Sequence, residues 1–385
     1  MTKLGDVLET LVDCEHKTSP IDESGDYFAV GTPAMQGNSI NLNEARRISL
    51  ATFEQWTRRL RPRVGDLLFA REAPVGPIVR IPREENIAPG QRTVLMRPDR
   101  GLVDPDYLFY ALATPAAQSL LLEKAAGSTV THLNVADIRS FEFPWGFPDL
   151  ARQTAIAQVL GALDDKIAAN VRMGVAADSL VRATVEGIAG EDVKVVGAIA
   201  DNHRVQSSPP FTDDDYVGLE HVPRRHMWMM DSGAADSLAS GKFRFEPGDV
   251  LFGKLRPYFH KVVVADRSGV CSTDILVLRS RNPDLRGLVW GLLASDAVVE
   301  RVSAMTEGTR MPRTNWSDLA ACEVPWPSES SAEELSSRIE SLGARASAAQ
   351  AESRMLADLR DTLLPHLMSG RISVRHAEAV VSEAL

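Results

Sequence analysis

The sequence predicts an α/β (α+β) protein built twice: two mixed α/β domains of one kind, separated by two long helices that pack antiparallel as a coiled coil, with a pseudo-twofold between the halves. Three observations predict it. GDLLFAREAPVG (Gly65 to Gly76) returns as GDVLFGKLRPYF (Gly248 to Phe259), 183 positions later. Gly127, Asn134, Asp137, Pro144 and Trp145 return at Gly308, Asn315, Asp318, Pro325 and Trp326, all at an offset of 181. A proline-free segment with helical apolar spacing follows the first copy, and a seven-residue apolar repeat follows the second.

Each copy opens on a strand-like segment, Lys3 to Leu11 and Val193 to Ala200. The shared Gly-Asp then forms a turn, and the aliphatic-Leu-Phe run after it reads as a buried strand. That makes Asp66 and Asp249 turn formers and Phe69 and Phe252 core residues. Arg71, Lys254 and Arg256 emerge beyond the strand. A helical stretch follows, then turn chemistry in GSTVTHLN and GTRMPRTN, a short helix (ADIRSF or SDLAAC) and a closing strand ending at Pro-Trp. Leu133, Ile138, Trp316 and Leu319 read as structural.

The segment from Leu150 to about Thr184 places Ile156, Leu160, Leu163 and Ile167 on one face, interrupted by Gly161 and Gly174. Its counterpart carries Leu335, Leu342, Ala349, Leu356 and Leu363 every seven residues, with Ile339 and Ala346 four after the first two. A heptad needs a partner helix, and the simplest partner for each is the other. Asn170 falls on this seam, either as a polar register pin or as an exposed neighbour of Val171. About 34 residues at 1.5 Å each give a spacer of about 50 Å.

The 385 residues exceed what one core usually serves, so two or more domains are expected. Net charge is −10, yet residues 41–100 hold twelve arginines against seven acids, and residues 242–286 hold nine basic against five acidic residues. Two basic blocks in an acidic chain suggest two local surfaces for a polyanion. Cys14, Cys271 and Cys322 form no ligand cluster, and His221 and His226 lack further ligands nearby, so no metal is assigned. No apolar run is long enough to span a bilayer, and acids stand where a signal peptide needs its apolar core, so the expected compartment is cytoplasmic.

No P-loop, GxGxxG, HExxH or GxSxG is present, and SSPPF (Ser207 to Phe211) has Ser where a methyltransferase loop needs an amide. The run Asp213 to Asp215 reads as a turn rather than a magnesium site. A repeated domain without catalytic residues is a binding module.

The paired GDxLF cores, the GST-x-x-HLN loop, the Pro-Trp endings, RQTAIAQVLGALDDKIAAN and LRDTLLPHLMSGRISV together resemble the specificity subunit of type I restriction-modification systems, over about Leu4 to Val374. The resemblance implies target-recognition domains at 1–148 and 193–328, conserved helical spacers at 149–192 and 329–374, and a tail at 375–385. It further implies that each domain reads one half of a bipartite site in double-stranded DNA. The chain would hold no cofactor and no catalytic residue. Two modification (methyltransferase) subunits would dock on the helices and supply S-adenosylmethionine chemistry at adenine N6. Restriction/translocase subunits would bring ATP and Mg. Base readout needs Arg, Lys, Asn, Gln or Thr in a groove. The candidates are Arg71, Ser128, Thr129, Thr131 and His132 in the first domain, and Lys254, Arg256, Tyr258, Thr309, Arg310 and Arg313 in the second. The unequal sets predict an asymmetric site.

Overall fold

The computed structural model describes residues 1–125, 131–188, 192–211, 214–306 and 311–385. The chain divides into two compact units, Met1–Lys166 with Leu356–Leu385, and Ile167–Met355. Each unit holds one copy of the repeat and a stretch of both long helices.

The first copy contains β1 (Leu8–Asp13), β2 (Tyr27–Val30), β3 (Arg46–Ile48), β4 (Leu67–Arg71), β5 (Val75–Arg80), β6 (Ile87–Pro89) and β7 (Thr93–Pro98), then α1 (Pro105–Ala113), α2 (Pro115–Lys124) and α3 (Val135–Arg139). Its main sheet runs β1-β7-β4-β5, and β2 pairs antiparallel with β3 and parallel with β6. After the helix α4 (Leu150–Glu186), the second copy contains β8 (Asp192–Val195), β9 (Ala200–Asn202), β10 (Asp215–Val217), β11 (Lys242–Phe245), β12 (Val250–Gly253), β13 (Val262–Val264), β14 (Gly269–Cys271) and β15 (Ile275–Ser280). It continues through α5 (Arg286–Leu293), α6 (Asp296–Ala304), α7 (Trp316–Ala320) and β16 (Glu323–Trp326). Its main sheet runs β9-β15-β12-β13, the same order with the same strand roles. In the smaller sheet β10 lies parallel to β14, as β2 does to β6.

The Gly-Asp turns form as the sequence requires. Gly65 and Gly248 take φ of +95° and +90°, which a side chain disfavours. The Asp66 carboxylate accepts from the Arg63 amide at 2.9 Å, and Asp249 accepts from the Glu246 amide at 2.8 Å. Leu67 to Ala70 and Val250 to Gly253 are buried throughout, as expected of a central strand covered on both faces. The segments expected as plain opening strands are broken by helical turns, Leu4–Val7 and Val196–Ile199. Their apolar ends, three residues apart, both turn inward: Leu4 and Val7 are buried, as are Val196 and Ile199. Each copy closes on its own start, with the Leu4 amide bonded to Phe141 O at 2.8 Å and β8 paired antiparallel with β16.

Helix α4 runs 37 residues through both glycines, and α8 (Glu329–Met368) runs 40. In the first unit Arg360 on α8 reaches Asp164 on α4 at 2.7 Å, while Arg152 lies beside Gly370 just past α8. In the second unit Asn170 donates to Glu352 at 2.8 Å, and Val181, Val185 and Ile339 converge on Gly291. Rising numbers on α4 meet falling numbers on α8 in both units, so the pairing is antiparallel. Ile156, Leu160, Leu163, Ile339 and Leu356 are buried, and Ile167, Leu335 and Leu342 are half-buried. Each full burial is worth about 1.5–3 kcal/mol. Asn170 is only 7% exposed, so the exposed reading of that residue gives way to a bonded one. The expected C-terminal tail is instead helical, α9 (Val374–Ala384), with Ala377 and Val381 buried.

Candidate nucleic-acid interface

The candidate site in each copy lies beyond the central strand, where the strand's last residue meets the segment that precedes the short helix. In the first copy the Leu133 amide bonds Arg71 O at 2.8 Å, and Glu72 bridges to His132. In the second, the Thr314 amide bonds Lys254 O at 3.0 Å, and Leu255 bridges to Arg313. The Arg71 amide takes Arg92 O at 2.9 Å, and the Lys254 amide takes Asp274 O at 2.8 Å. One backbone junction thus occurs twice, with Arg71, Glu72, Arg92 and His132 in the first copy and Lys254, Leu255, Asp274 and Arg313 in the second.

The side chains at this junction differ in freedom. Arg71 is 11% exposed, and its guanidinium donates to Asp13 Oδ1 at 3.1 Å and to Leu133 O at 3.2 Å. Its remaining nitrogen lies 3.5 Å from His16 Nδ1, and His16 in turn pairs with Asp13 at 3.0 Å. Arg71 therefore fastens the loop that leads to His132 and has little left to offer a base. Thr131 is exposed and His132 half-exposed. Ser128, Thr129, Thr309 and Arg310 lie outside the described residues.

The second copy presents more free charge. Arg313 is 54% exposed on its pair with Asp274. Lys254 is half-buried, and its ammonium is held below the usual lysine range, first by burial and then by the nearby Arg204 and Arg313, with Asp274 opposing. Arg256 is exposed, takes φ of +50°, and anchors its amide on Pro312 O at 2.8 Å. Tyr258 is 55% exposed beside Phe259, over whose ring Arg224 stacks at 4.1 Å.

Behind this loop, His260 is buried, with Nδ1 3.1 Å from Asp296 and Nε2 2.9 Å from Ala294 O. Asp296 also binds Arg225 at 2.6 Å and Arg182 of α4 at 3.3 Å, so α4 and α6 together hold the Arg256-to-His260 loop in place. Sequence reading missed Arg204, Arg224, Asp13 and this anchor. Asp13 comes to the junction through the pairing of β1 with β7, and the others through loops and helices distant in sequence.

Among the described residues no three His, Cys, Asp or Glu side chains could hold a metal ion, and no helix is long and apolar enough to cross a membrane. Burial pushes the Cys271 thiol up to about 12, the behaviour of an inert core cysteine.

The chain is thus a duplicated α/β module that carries a loop junction of different charge in each copy. Residues 1–172 match the model of the type I restriction modification DNA specificity domain. The chain is 28% identical over 139 residues to the type I restriction enzyme EcoDI specificity subunit of Escherichia coli, covering 34% of this chain and 31% of that protein. The aligned stretch thus spans about a third of the curated relative's length. In fold the chain is similar to the type I restriction-modification system S subunit of M. genitalium, with 13% identity, a TM-score of 0.57 and 95% of each chain covered.

Proposed function

We propose that this chain recognises DNA sequence for a type I restriction-modification complex, each copy being a head that reads one half of a bipartite, asymmetric site in double-stranded DNA. The observation that carries the reading is the repeated junction: one backbone frame holds different side chains in its two copies. A frame that keeps its hydrogen bonds while its side chains change suits a reader of two different half-sites. The helices dock two modification subunits. Along the second-unit part of α4, Val171 and Val175, four residues apart on one face, are 42 and 49% exposed, an apolar pair suited to such a partner. Methyl transfer from S-adenosylmethionine belongs to those partners and ATP- and Mg-dependent cleavage to restriction subunits, all in the cytoplasm.

Mapping N6-methyladenine in cells that express the chain with its modification subunits tests this. The expected motif is bipartite and non-palindromic, and Arg256→Ala relaxes one half of it while leaving the other intact. A palindromic motif, or one that Arg256→Ala alters in both halves, overturns the reading. Methylation by the chain alone would make it an enzyme.

A further inference from the structure

The two heads share a frame but not a charge. In the first, Asp13 takes Arg71 at 3.1 Å and Glu72 takes Arg92 at 3.4 Å, so two cations face two carboxylates. The pairing registers carry each position across. Asp13 and Phe69 both oppose Val94. In the second copy Phe252 opposes Leu276, Asn202 opposes Leu278 and the His203 amide still bonds Val277 O, so continuing that register one residue past the ladder brings Arg204 to the place of Asp13. Lys254 stands for Arg71, Leu255 for Glu72, Asp274 for Arg92 and Arg313 for His132.

The substitutions act in one direction. The clamping carboxylate has become an arginine, and the second carboxylate has become a leucine. Lys254 now has Arg204, Arg313 and the carboxylate of Asp274 near it, and Asp274 is committed to Arg313 at 3.1 Å. Among the described residues neither Arg204 nor Lys254 has a carboxylate within ion-pair distance; Arg204 is exposed and lies over the Phe243 ring at 5.5 Å. Like charges so placed repel one another until an anion arrives between them.

We infer that Arg204 and Lys254, with Arg313, form a phosphodiester-binding site of the second head, and that the corresponding junction of the first head, where Arg71 and Arg92 are matched by Asp13 and Glu72, adds no net attraction for DNA of its own. This rests on the DNA-recognition reading. It makes the second junction the electrostatic anchor of the two and leaves the first junction to discriminate by shape and hydrogen bonding. Arg71 is then a positioning residue, which acts by holding the Leu133 carbonyl.

The test is DNA affinity against salt for the chain assembled with its modification subunits, on a duplex carrying the mapped motif and on a scrambled duplex. Each phosphate contact contributes about 0.9 to the slope of log K against log salt. Arg204→Ala and Lys254→Ala are each expected to flatten the slope by about one on both duplexes, and Arg204→Asp, which restores a carboxylate beside Lys254, by about two. The neutral double replacement Asp13→Asn with Arg71→Gln is expected to leave the slope unchanged. Unaltered slopes in the second-head variants overturn the inference, as does an equal flattening by the first-head pair. A loss confined to the motif duplex assigns these residues to bases and overturns the phosphodiester site. If the wild-type complex does not distinguish the two duplexes, the recognition reading itself fails.

Discussion

Asp66 and Asp249 show how much one residue can carry. Each ends a tight turn, and each buried carboxylate also takes an arginine from the neighbouring strand: Arg97 at 2.9 and 2.7 Å, and Arg279 at 2.7 and 2.8 Å. The turn role was legible because Gly-Asp ahead of an apolar run has few other uses. The arginine partners were not, since they lie 31 and 30 residues away. Asp66→Ala leaves Arg97, 15% exposed, without its carboxylate, at an expected cost of about 3 kcal/mol. Asp249→Ala is expected to cost about half as much, because Arg279 is 35% exposed and keeps Glu246 at 2.8 Å. Denaturant midpoints followed by tryptophan fluorescence give the order; equal losses would mean that the retained partner contributes nothing. Arg71 is the converse case. Its place at the end of a strand in a basic block suggested a reader, and only the fold shows that Asp13 has already taken it.

At the scale of the element, the apolar repeats were sufficient to pair the two helices, because an apolar stripe repeating every seven residues has to be covered, and the same starting place of each helix in its copy set their antiparallel direction. Sequence spacing could not show that each compact unit takes part of both helices. That depends on which helix faces the heads cover, as where Val181 and Ile339 meet Gly291 in the second unit. Nor do glycines declare their purpose. Gly161 lies within α4 with open space for 4 Å around the point where a β-carbon would stand, whereas at Gly287 on α5 a β-carbon would stand 2.3 Å from the Ser336 carbonyl oxygen. Gly161→Ala is therefore expected to stabilise by about 0.5–1 kcal/mol, the ordinary gain inside a helix. Gly287→Ala must push α5 away from α8 and is expected to destabilise by about 1–3 kcal/mol. Thermal unfolding of the two variants checks the opposite signs; a destabilising Gly161→Ala would show that the helix needs its glycine for a partner's close approach.

At the scale of the whole chain, the net charge of −10 and the unpaired cations at the second junction act against each other. A duplex feels the summed field at a distance and individual side chains only on contact, so an acidic protein approaches DNA against repulsion even when its reading surface is basic. Contacts from the unpaired cations of the proposed site are expected to give non-specific affinities of about 10⁻⁴ to 10⁻⁶ M at physiological salt. Specific recognition is expected to draw on further phosphate contacts, which in the proposed complex the modification subunits would supply. The chain alone is therefore expected to shift a 30-base-pair duplex at about micromolar concentration or above, with little preference for the methylated motif, and adding modification subunits is expected to bring both tight binding and selectivity. Fluorescence anisotropy on the motif and scrambled duplexes, with and without the partners, measures both quantities together. Selectivity of the lone chain equal to that of the complex would mean that the two heads discriminate without help, and that the acidic remainder of the chain has no part in controlling when DNA is read.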